Sequence, residues 1–329
     1  MISAFQADDP GSIPGRRISK NKMSEQEQSE IREVSKKQKL TTWYNKNYKL
    51  LLIIPIFLFL FSLAYLGYSF YTTGDFITKD ITLTGGTSVT LFSEQEINTK
   101  EISDFLSGKI NDLSVRELSD FRTGRQKAVI IETISEPNQV RDLLEEFLKY
   151  ELTSENSSIE STGSSLGKSF YNQLRIAILI SFILMAIIVF ILFRNFIPSF
   201  AVVISAFADI TMTLAFVDLI GMKISSAGIT AILMLIGYSV DSDIMLTTRL
   251  LKRQGETNKN LLSAFKTGIT MTLTSIIAIT LALFIIQSFS NILEQIFSIL
   301  IIGLTFDILN TWITNVSILK WYLESKHHD

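Results

Sequence analysis

Six long apolar segments constrain the fold of this chain more than any other feature of its sequence. Crossing about 30 Å of hydrocarbon takes about 20 apolar residues in a helix that rises 1.5 Å per residue. The first segment, Leu50 to Tyr71, carries no charge. The other five crowd the C-terminal half and run from Ile176 to Phe193, Pro198 to Ile220, Ala227 to Thr248, Thr267 to Ile286 and Leu293 to Leu319. The sequence therefore predicts a polytopic α-helical membrane protein in which one transmembrane helix stands apart from a five-helix bundle.

Composition narrows the classes of function that remain. The 329 residues include 47% hydrophobic residues and no Cys, so disulfides and thiolate metal sites are excluded. The two His residues, His327 and His328, lie together at the C-terminus, where a solvated tail is the simpler interpretation. A formal net charge of -2 gives no electrostatic argument for nucleic acid. We expect no metal, no cofactor and no nucleic acid partner, and an enzyme is unattractive because the spans contain no Cys or His.

The basic residues of the short connections predict an orientation, because Lys and Arg collect on the cytoplasmic side. They flank the first span on its N-terminal side and follow the second, fourth and sixth spans, whereas the opposite short connections carry only Lys223. The residues concerned are Lys36, Lys37, Lys39, Lys46, Lys49, Arg194, Arg249, Lys252, Arg253, Lys259, Lys266, Lys320 and Lys326. We predict a multi-pass protein of the plasma membrane with both termini in the cytoplasm and residues 72–170 outside.

The segment between the first two spans reads as a small α+β domain. Strand patterns cover residues 80–92, 113–121, 127–134 and 157–162, and helical spacing covers 98–110 and 137–152. The order β-α-β-β-α-β predicts a ferredoxin-like domain. In this interpretation Gly85 and Gly86 break the first strand, and Gly163 and Gly167 form a Gly/Ser hinge into the second span.

The predicted boundaries are as follows. Residues 1–45 form a disordered cytoplasmic segment, in which Met23 is an alternative start, and 46–71 the first transmembrane helix. Residues 72–170 form the extracytoplasmic domain, where Asn156 fits a glycosylation sequon, 171–322 the five-helix bundle and 323–329 a cytoplasmic tail.

Four carboxylates interrupt the apolar spans, namely Asp209, Asp241, Asp243 and Asp307. From the predicted cytoplasmic ends, Asp209 lies about 16 Å deep, Asp241 about 12 Å and Asp307 about 20 Å. An ionised carboxylate at such depth costs about 2.5–3.5 kcal/mol or more, so each should face the bundle interior, be paired or be protonated. Asp241 and Asp243 are about 200° apart around one helix and cannot share a partner. On depth and helix face we predict Asp241 as the central acid and Asp243 as its polar companion.

Other polar residues are candidates to support these acids. In the fifth span they are Thr270 and Thr274, with Lys266 at its start. In the sixth span Asp307, Asn310, Thr311, Thr314 and Asn315 form one stripe at helical spacing. Such a stripe either joins helices by hydrogen bonds or lines a proton path, and the sequence does not decide between the two.

Several motifs now form a recognisable set: TGGT at 84–87, STGSSLG at 161–167, FADI at 207–210, IGYSVDSD at 236–243 and TGITMTLTS at 267–275. With the arrangement of one span, an outer domain and five spans, they resemble the SecF family of protein-export membrane proteins over roughly residues 45–322. The sequence NTWITN at 310–315 is similar to the archaeal branch.

The resemblance implies a non-enzymatic auxiliary of the Sec translocase that draws on the proton motive force. Its implied partners are a SecD-like subunit, the Sec translocon channel, the translocating polypeptide and the lipid membrane. The membrane half of such proteins is similar to one half of an RND-superfamily transporter, so a second half is expected from the partner. The family places its bacterial acid at the position of Ser242, and SecD proteins place theirs at Asp241.

Two other functions stay open on the sequence. One is an RND-like half-transporter for a small hydrophobic molecule, although the outer domain of about 100 residues is small for that class. The other is a scaffold whose carboxylates only hold helices together.

Overall fold

The computed structural model describes residues 47–92, 96–119, 125–252, 257–286 and 290–326. The predicted disordered segment 1–45, including Met23, and the pair His327 and His328 lie outside the described residues.

The described elements follow the predicted order. The first span contains α1 (Ile53–Thr73), and the α+β domain consists of α2 (Ile81–Thr84), β1 (Gly86–Phe92), α3 (Thr99–Leu106), β2 (Ser114–Ser119), β3 (Gln126–Thr133), α4 (Pro137–Leu148) and β4 (Ser157–Thr162). The bundle consists of α5 (Ser164–Phe193), α6 (Phe196–Leu219), α7 (Ser226–Lys252), α8 (Thr257–Ile286), α9 (Asn291–Leu309), a π-helix (Asn310–Asn315) and α10 (Val316–Lys326).

Six helices in the described ranges are long and apolar enough to cross a membrane. They run Asn47–Thr73, Ser164–Phe193, Phe196–Leu219, Ser226–Leu251, Lys259–Ile286 and Ile292–Lys326. The six predicted spans are therefore confirmed, and α9, the π-helix and α10 together form the last one.

The α+β domain is a four-stranded sheet with two amphipathic helices on one face. Its strand order is β2-β3-β1-β4 and every neighbouring pair is antiparallel, as the ferredoxin-like prediction requires. Burial alternates along β1, so one face of the strand packs against α3 and α4. The fully buried side chains of this core are Val89, Leu91, Ile102, Leu106, Val129, Ile131, Val140 and Leu144. Each stabilises the domain by roughly 1.5–3 kcal/mol relative to an exposed side chain.

The predicted first strand is wrong over its first half. Residues 81–84 form the helical turn α2, because the Asp80 carboxylate caps it by accepting from the Ile81 amide at 2.6 Å. Gly85 and Gly86 follow with φ of 85° and 143°, which an L side chain rarely adopts. They turn the chain sharply, so β1 begins at Gly86.

The predicted Gly/Ser hinge at 163–167 is also wrong, because the segment is helical from Ser164 onward. The backbone at Gly85 packs directly against the backbone of α5 at Gly167. A Cβ added to Gly167 would lie 2.7 Å from the Gly85 nitrogen and 3.1 Å from the Leu83 carbonyl oxygen. A Cβ on Gly85 would lie 2.3 Å from the Ser164 Cα. The two Gly motifs therefore form one close-packed joint between the α+β domain and α5, which we call the glycine joint.

Backbone pairing fastens the domain to the connection between α6 and α7. The Ile224 amide donates to the Thr78 carbonyl at 2.8 Å, and the Asp80 amide donates to the Ile224 carbonyl at 3.0 Å. Asp218, at the end of α6, accepts from the Thr78 amide at 2.8 Å and from the Tyr65 hydroxyl at 3.0 Å. We call this end of the bundle the domain end and the opposite end, where Arg249 lies, the far end.

A polar cleft of about 480 Å³ lies between the open face of the sheet and the domain end. Within it Glu132 is buried and pairs with Arg116 at 2.5 Å and Lys223 at 3.3 Å. Burial, and then the neighbouring Glu132 carboxylate, raise the pKa of Asp80 to about 6. The attachment of the domain thus includes one acid that titrates close to neutral pH.

The helices of the bundle differ strongly in how far their neighbours cover them. In α6, 67% of the apolar stretch is buried inside the protein, compared with 6% in α8. Small residues, among them Ala201, Ala206, Ala208 and Ala215, let the neighbouring helices approach α6 closely. The polar residues on α6 consequently lie in the centre of the bundle.

Candidate functional site: a buried carboxylate cluster

Three of the four intramembrane acids meet inside the bundle. Asp209 on α6 and Asp243 on α7 are fully buried, and Asp307 on α9 is 1% exposed. We call these residues, with the hydroxyl and amide groups that bond to them, the carboxylate cluster. These three acids face the bundle interior, which is one of the alternatives predicted for an intramembrane acid, since lipid would penalise them; Asp241 does not.

Asp209 joins three helical segments. Its Oδ2 accepts from the Ser239 hydroxyl of α7 at 2.6 Å, and its Oδ1 accepts from Nδ2 of Asn310 in the π-helix at 2.7 Å. A hydrogen bond to a charged group contributes roughly 1.5–3 kcal/mol, although intramembrane bonds average only about 0.6 kcal/mol. With either free energy per hydrogen bond, Asp209 couples the positions of α6, α7 and the π-helix.

Asp307 lies within hydrogen-bond distance of two hydroxyl groups. The Ser242 hydroxyl lies 3.1 Å from Oδ1 and 3.1 Å from Oδ2, and the Thr311 hydroxyl lies 3.1 Å from Oδ1. Ser242 on α7 is fully buried and serves as a donor to this acid on α9.

Asp243 is bonded asymmetrically. Its Oδ1 accepts from Asn315 Nδ2 at 2.7 Å, from the Thr311 hydroxyl at 3.0 Å and from the Ser205 hydroxyl at 3.4 Å. Its Oδ2 has no hydrogen-bond partner among the described residues. Thr247 Oγ1 and Asn315 Oδ1 are likewise buried without a partner in the described ranges.

The choice of Asp241 as the central acid is wrong. Asp241 is exposed on the outside of α7 and forms no hydrogen bond or ion pair with a described residue. The face of α7 that carries Ser239, Asp243 and Thr247 is the one packed against α6 and α9. Helical spacing correctly separated the two acids, but the interior face is decided by the neighbouring helices.

The predicted supporting residues divide into two groups. Asn310 and Thr311 belong to the cluster, whereas Thr270 and Thr274 are exposed and bond to carbonyl groups of their own helix. Lys266 is exposed as well. The α8 candidates therefore stand outside the site.

The sequence did not single out Ser205 or Ser242 as donors. Ser205 lies four residues before Asp209, on the same face of α6, and this spacing is the signal that could have identified it. Ser242 lies one residue before Asp243, and its role follows only from the position of α9.

The π-helix coincides with the polar stripe of the last span. Asn310, Thr311 and Asn315 are buried in it, and all three bond to cluster carboxylates. A π-helix carries i→i+5 hydrogen bonds and is often found at functional sites, because its wider turn sets side chains at positions an α-helix does not reach. Here it directs two amides and a hydroxyl at all three acids of the cluster.

The cluster has no cation of its own in the described part of the chain. None of the three carboxylates forms an ion pair there, and Arg249 instead donates to Ser263 and Thr267 at the far end. No group of three or more His, Cys, Asp and Glu side chains in the described ranges is placed to hold a metal ion. Three buried like charges repel one another strongly at low dielectric. The site consequently favours a state in which protons or a cation reduce its charge.

Together the fold and the site define a class: a polytopic α-helical membrane protein with a ferredoxin-like domain after its first span and acids buried in its bundle. The family model described as "Protein export membrane protein SecD/SecF, C-terminal" matches residues 142–325. The chain is 39% identical over 282 residues to a protein-export membrane protein SecF of Methanolacinia petrolearia, covering 84% of this chain and 94% of that protein. The corresponding protein of Methanocaldococcus jannaschii is 36% identical, covering 84% and 96%. The chain belongs to the SecF family.

A solved structure supports the fold independently. The crystal structure of SecDF, a translocon-associated membrane protein from Thermus thermophilus, superposes with a TM-score of 0.69 at 16% identity. The match covers 84% of this chain but 38% of the solved chain, so the present chain corresponds to a minor part of that protein.

Proposed function

We propose that this protein is an auxiliary subunit of the Sec protein translocase that promotes protein export and membrane insertion. The family membership over most of the chain supports this role, since the relatives at 36–39% identity are named protein-export membrane proteins. In this proposal both termini are cytoplasmic, the α+β domain is outside, and the translocon channel and the translocating polypeptide are its partners.

We further propose that export is coupled to the proton gradient through the carboxylate cluster. The observation that carries this proposal is the set of bonds from Asp209 to Ser239 at 2.6 Å and to Asn310 at 2.7 Å. When a carboxylate takes up a proton, one of its oxygens becomes a donor, and a neighbouring hydroxyl must reverse or leave. A change of protonation at Asp209 would therefore alter how α6, α7 and the π-helix fit together.

Such a change has a direct route to the α+β domain. Asp218 follows Asp209 on α6 by nine residues and bonds to the Thr78 amide, and the connection after α6 pairs with the domain through Ile224. The glycine joint holds the domain to α5 as well. Movement of α6 relative to α5 would consequently tilt the domain on the membrane, which is the step proposed to act on the translocating chain.

The test is export into membrane vesicles that carry an imposed proton gradient. Asp209→Asn keeps the size of the side chain and one acceptor oxygen, but removes its titration. We expect it to reduce export to the level seen when the gradient is collapsed. Thr211→Val is the matched control, because Thr211 is buried on the same helix and its hydroxyl donates to the Phe207 carbonyl at 2.7 Å.

Two outcomes would contradict this coupling: full gradient stimulation in Asp209→Asn, or wild-type export that does not change when the gradient is collapsed. Loss of export in both variants would indicate damage to assembly rather than to coupling. Co-purification of each variant with its partners distinguishes that case.

A SecD-like subunit is the proposed partner in the membrane. The exposed face of α7 supports it, because Met234 and Tyr238 are 42% and 41% exposed and Asp241 lies beside them without a described partner. An isolated carboxylate facing lipid at this depth is costly. A Cβ on Gly237 would meet nothing within 4 Å, so a second helix can approach there closely. A SecD-like subunit that offers a hydrogen-bond donor or a basic side chain would satisfy Asp241.

A further inference from the structure

A short segment at the start of α7 joins the bundle to the α+β domain. We call residues 223–226 the connecting segment. Its polar contacts with the domain run from Ile224 to Thr78 at 2.8 Å and to Asp80 at 3.0 Å, from Lys223 to Glu132 at 3.3 Å and from Ser226 to Thr82 at 3.1 Å. The position of this segment therefore helps to set the position of the domain on the bundle.

Gln295, near the start of α9, holds the connecting segment from the bundle side. Its Nε2 donates to the Lys223 carbonyl at 2.6 Å, and its Oε1 accepts from the Ser225 amide at 3.3 Å and from the Ser225 hydroxyl. Gly228 leaves room for the side chain, since a Cβ there would lie 3.1 Å from Oε1 of Gln295. One side-chain amide thus bonds to main-chain groups on both sides of Ile224, the residue that pairs with the domain.

The other end of α9 belongs to the carboxylate cluster. Asp307 follows Gln295 by 12 residues, which is about 18 Å along the helix axis. Between them α9 contains no Pro, so no backbone hydrogen bond is removed and the helix is not kinked in that way. Rigid helices of this kind can carry a displacement from one end to the other. A shift of α9 at Asp307 would consequently move the side chain of Gln295.

We propose that Gln295 is the positioning residue that transmits a displacement of α9 from the carboxylate cluster to the α+β domain. It acts through the connecting segment, to which it bonds, rather than through contact with the acids. The inference rests on the proposed coupling between the cluster and the domain, and it adds a route along α9 to the route along α6.

A second route must be separated from this one, because the connecting segment also runs directly into α7, which begins at Ser226. Movement of α7 alone would displace the segment without any bond from Gln295. A double-mutant cycle distinguishes the two, since it measures whether the effect of one substitution depends on the other residue.

The test reads hydrogen exchange of the Ile224 amide in the full chain in lipid nanodiscs. Asp307→Asn removes the charge of the acid on α9 at nearly constant size. We expect it to change the exchange rate of Ile224 by at least about fivefold, the lower end of typical coupling between sites. Gln295→Met removes the bonds to the connecting segment at similar size, and in that background Asp307→Asn should leave the rate unchanged. A merely structural role of Gln295 would shift the rate by the same factor with either residue at position 307.

Ser298→Ala is the matched control. Ser298 lies on the same helix and lines the polar cleft, but it forms no hydrogen bond with a described residue. In this background the effect of Asp307→Asn should be retained in full. The Ile102 amide, which donates to the Asn98 carbonyl at 3.2 Å inside the domain, should exchange at one rate in every variant.

An effect of Asp307→Asn that persists in full in Gln295→Met would overturn the proposal, because α7 would then carry the change by itself. Gln295→Glu tests the same link with a polar side chain, since it replaces the donor that faces the Lys223 carbonyl by an acceptor, and a full effect there would also overturn it. So would the absence of any effect of Asp307→Asn when Gln295 is present. Gradient-dependent export, measured with Asp209→Asn, is a separate result, so failure of this inference is distinguishable from failure of the proposed function.

Discussion

The glycine joint offers a sharp mechanical test of how the α+β domain is held. Gly167→Ala adds one methyl group whose carbon would lie 2.7 Å from the Gly85 nitrogen and 3.1 Å from the carbonyl group of Leu83. Ordinary contacts of a Cβ lie at 3.4–4 Å. The neighbouring atoms are backbone atoms of α2 and its C-terminal turn, so they cannot move aside by changing a rotamer. We expect the methyl group to push α2 away from α5.

The size of the effect follows from overpacking. Inserting a methylene into a well-packed contact costs typically about 1–3 kcal/mol. If that cost falls on the closed form of the joint, the equilibrium between open and closed forms shifts about 5- to 150-fold.

Hydrogen exchange of backbone amides measures this shift in the intact protein in lipid nanodiscs. The Thr84 amide donates to the Asp80 carbonyl at 3.1 Å and the Gly85 amide to the Ile81 carbonyl at 2.8 Å, and both bonds belong to the joint. Exchange through local opening is proportional to the opening equilibrium. These amides should therefore exchange about 5- to 150-fold faster in Gly167→Ala.

Gly163→Ala is the matched control for this experiment. It lies four residues earlier, at the N-cap of α5, has φ of -63°, and a Cβ there would meet nothing within 4 Å. We expect exchange in the joint to stay at the wild-type rate. Equal protection of Thr84 and Gly85 in both variants would refute the close-packing explanation, and equal loss of protection in both would show that the contact at Gly167 is not the cause.

Two further predictions concern the attachment of the α+β domain to the bundle and the exposed face of α7. The pKa of Asp80 is about 6 in the folded protein and ordinarily about 4, so the attachment of the domain should be most stable below about pH 4 and weaken as pH rises through about 6. Asp80→Asn should abolish that weakening, measured as hydrogen exchange of the Ile224 amide corrected for intrinsic rates. An unchanged pH profile in the variant would exclude Asp80 as the cause. Gly237→Cys should cross-link to a SecD-like subunit in native membranes. Leu179→Cys, at a 61% exposed position of α5, should not. Equal cross-linking yields from the two positions would contradict a specific contact at α7.

Much of the architecture was predictable because it depends on patterns that the sequence displays directly. Six apolar runs predicted six spans, and the alternation around Val89 and the helical spacing around Leu144 predicted the ferredoxin-like order. The start of β1 was not predictable from alternation, because the residues from Ile81 to Thr84 read equally well as strand. Their conformation is decided by the cap at Asp80 and by the packing of Gly85 against α5.

The sequence predicted which residues belong to the carboxylate cluster better than it predicted how they are arranged. Cost in lipid identified Asp209 and Asp307, and spacing identified Asn310 and Thr311 as their neighbours. The choice between Asp241 and Asp243 depends on which side of α7 meets α6, and one helix alone contains no information about that side. The face with Asp241 has Met234 and Tyr238, which suit lipid or another subunit as well as a core.

The burial of α6 has a consequence for how the chain reaches its final form during synthesis. Asp209 enters the membrane with α6, yet its partners Ser239 and Asn310 lie 30 and 101 residues further along the chain. At about 5–20 residues per second, the ribosome takes roughly 5–20 s to synthesise the chain from Asp209 to Asn310. During that interval the acid has no Asn310 to accept from, although the finished bundle leaves Asp209 fully buried. The last span brings both Asp307 and the π-helix, and its insertion therefore completes the interior of the bundle. A nascent chain halted before residue 310 would contain a buried acid that lipid, water or the insertion machinery must accommodate until then.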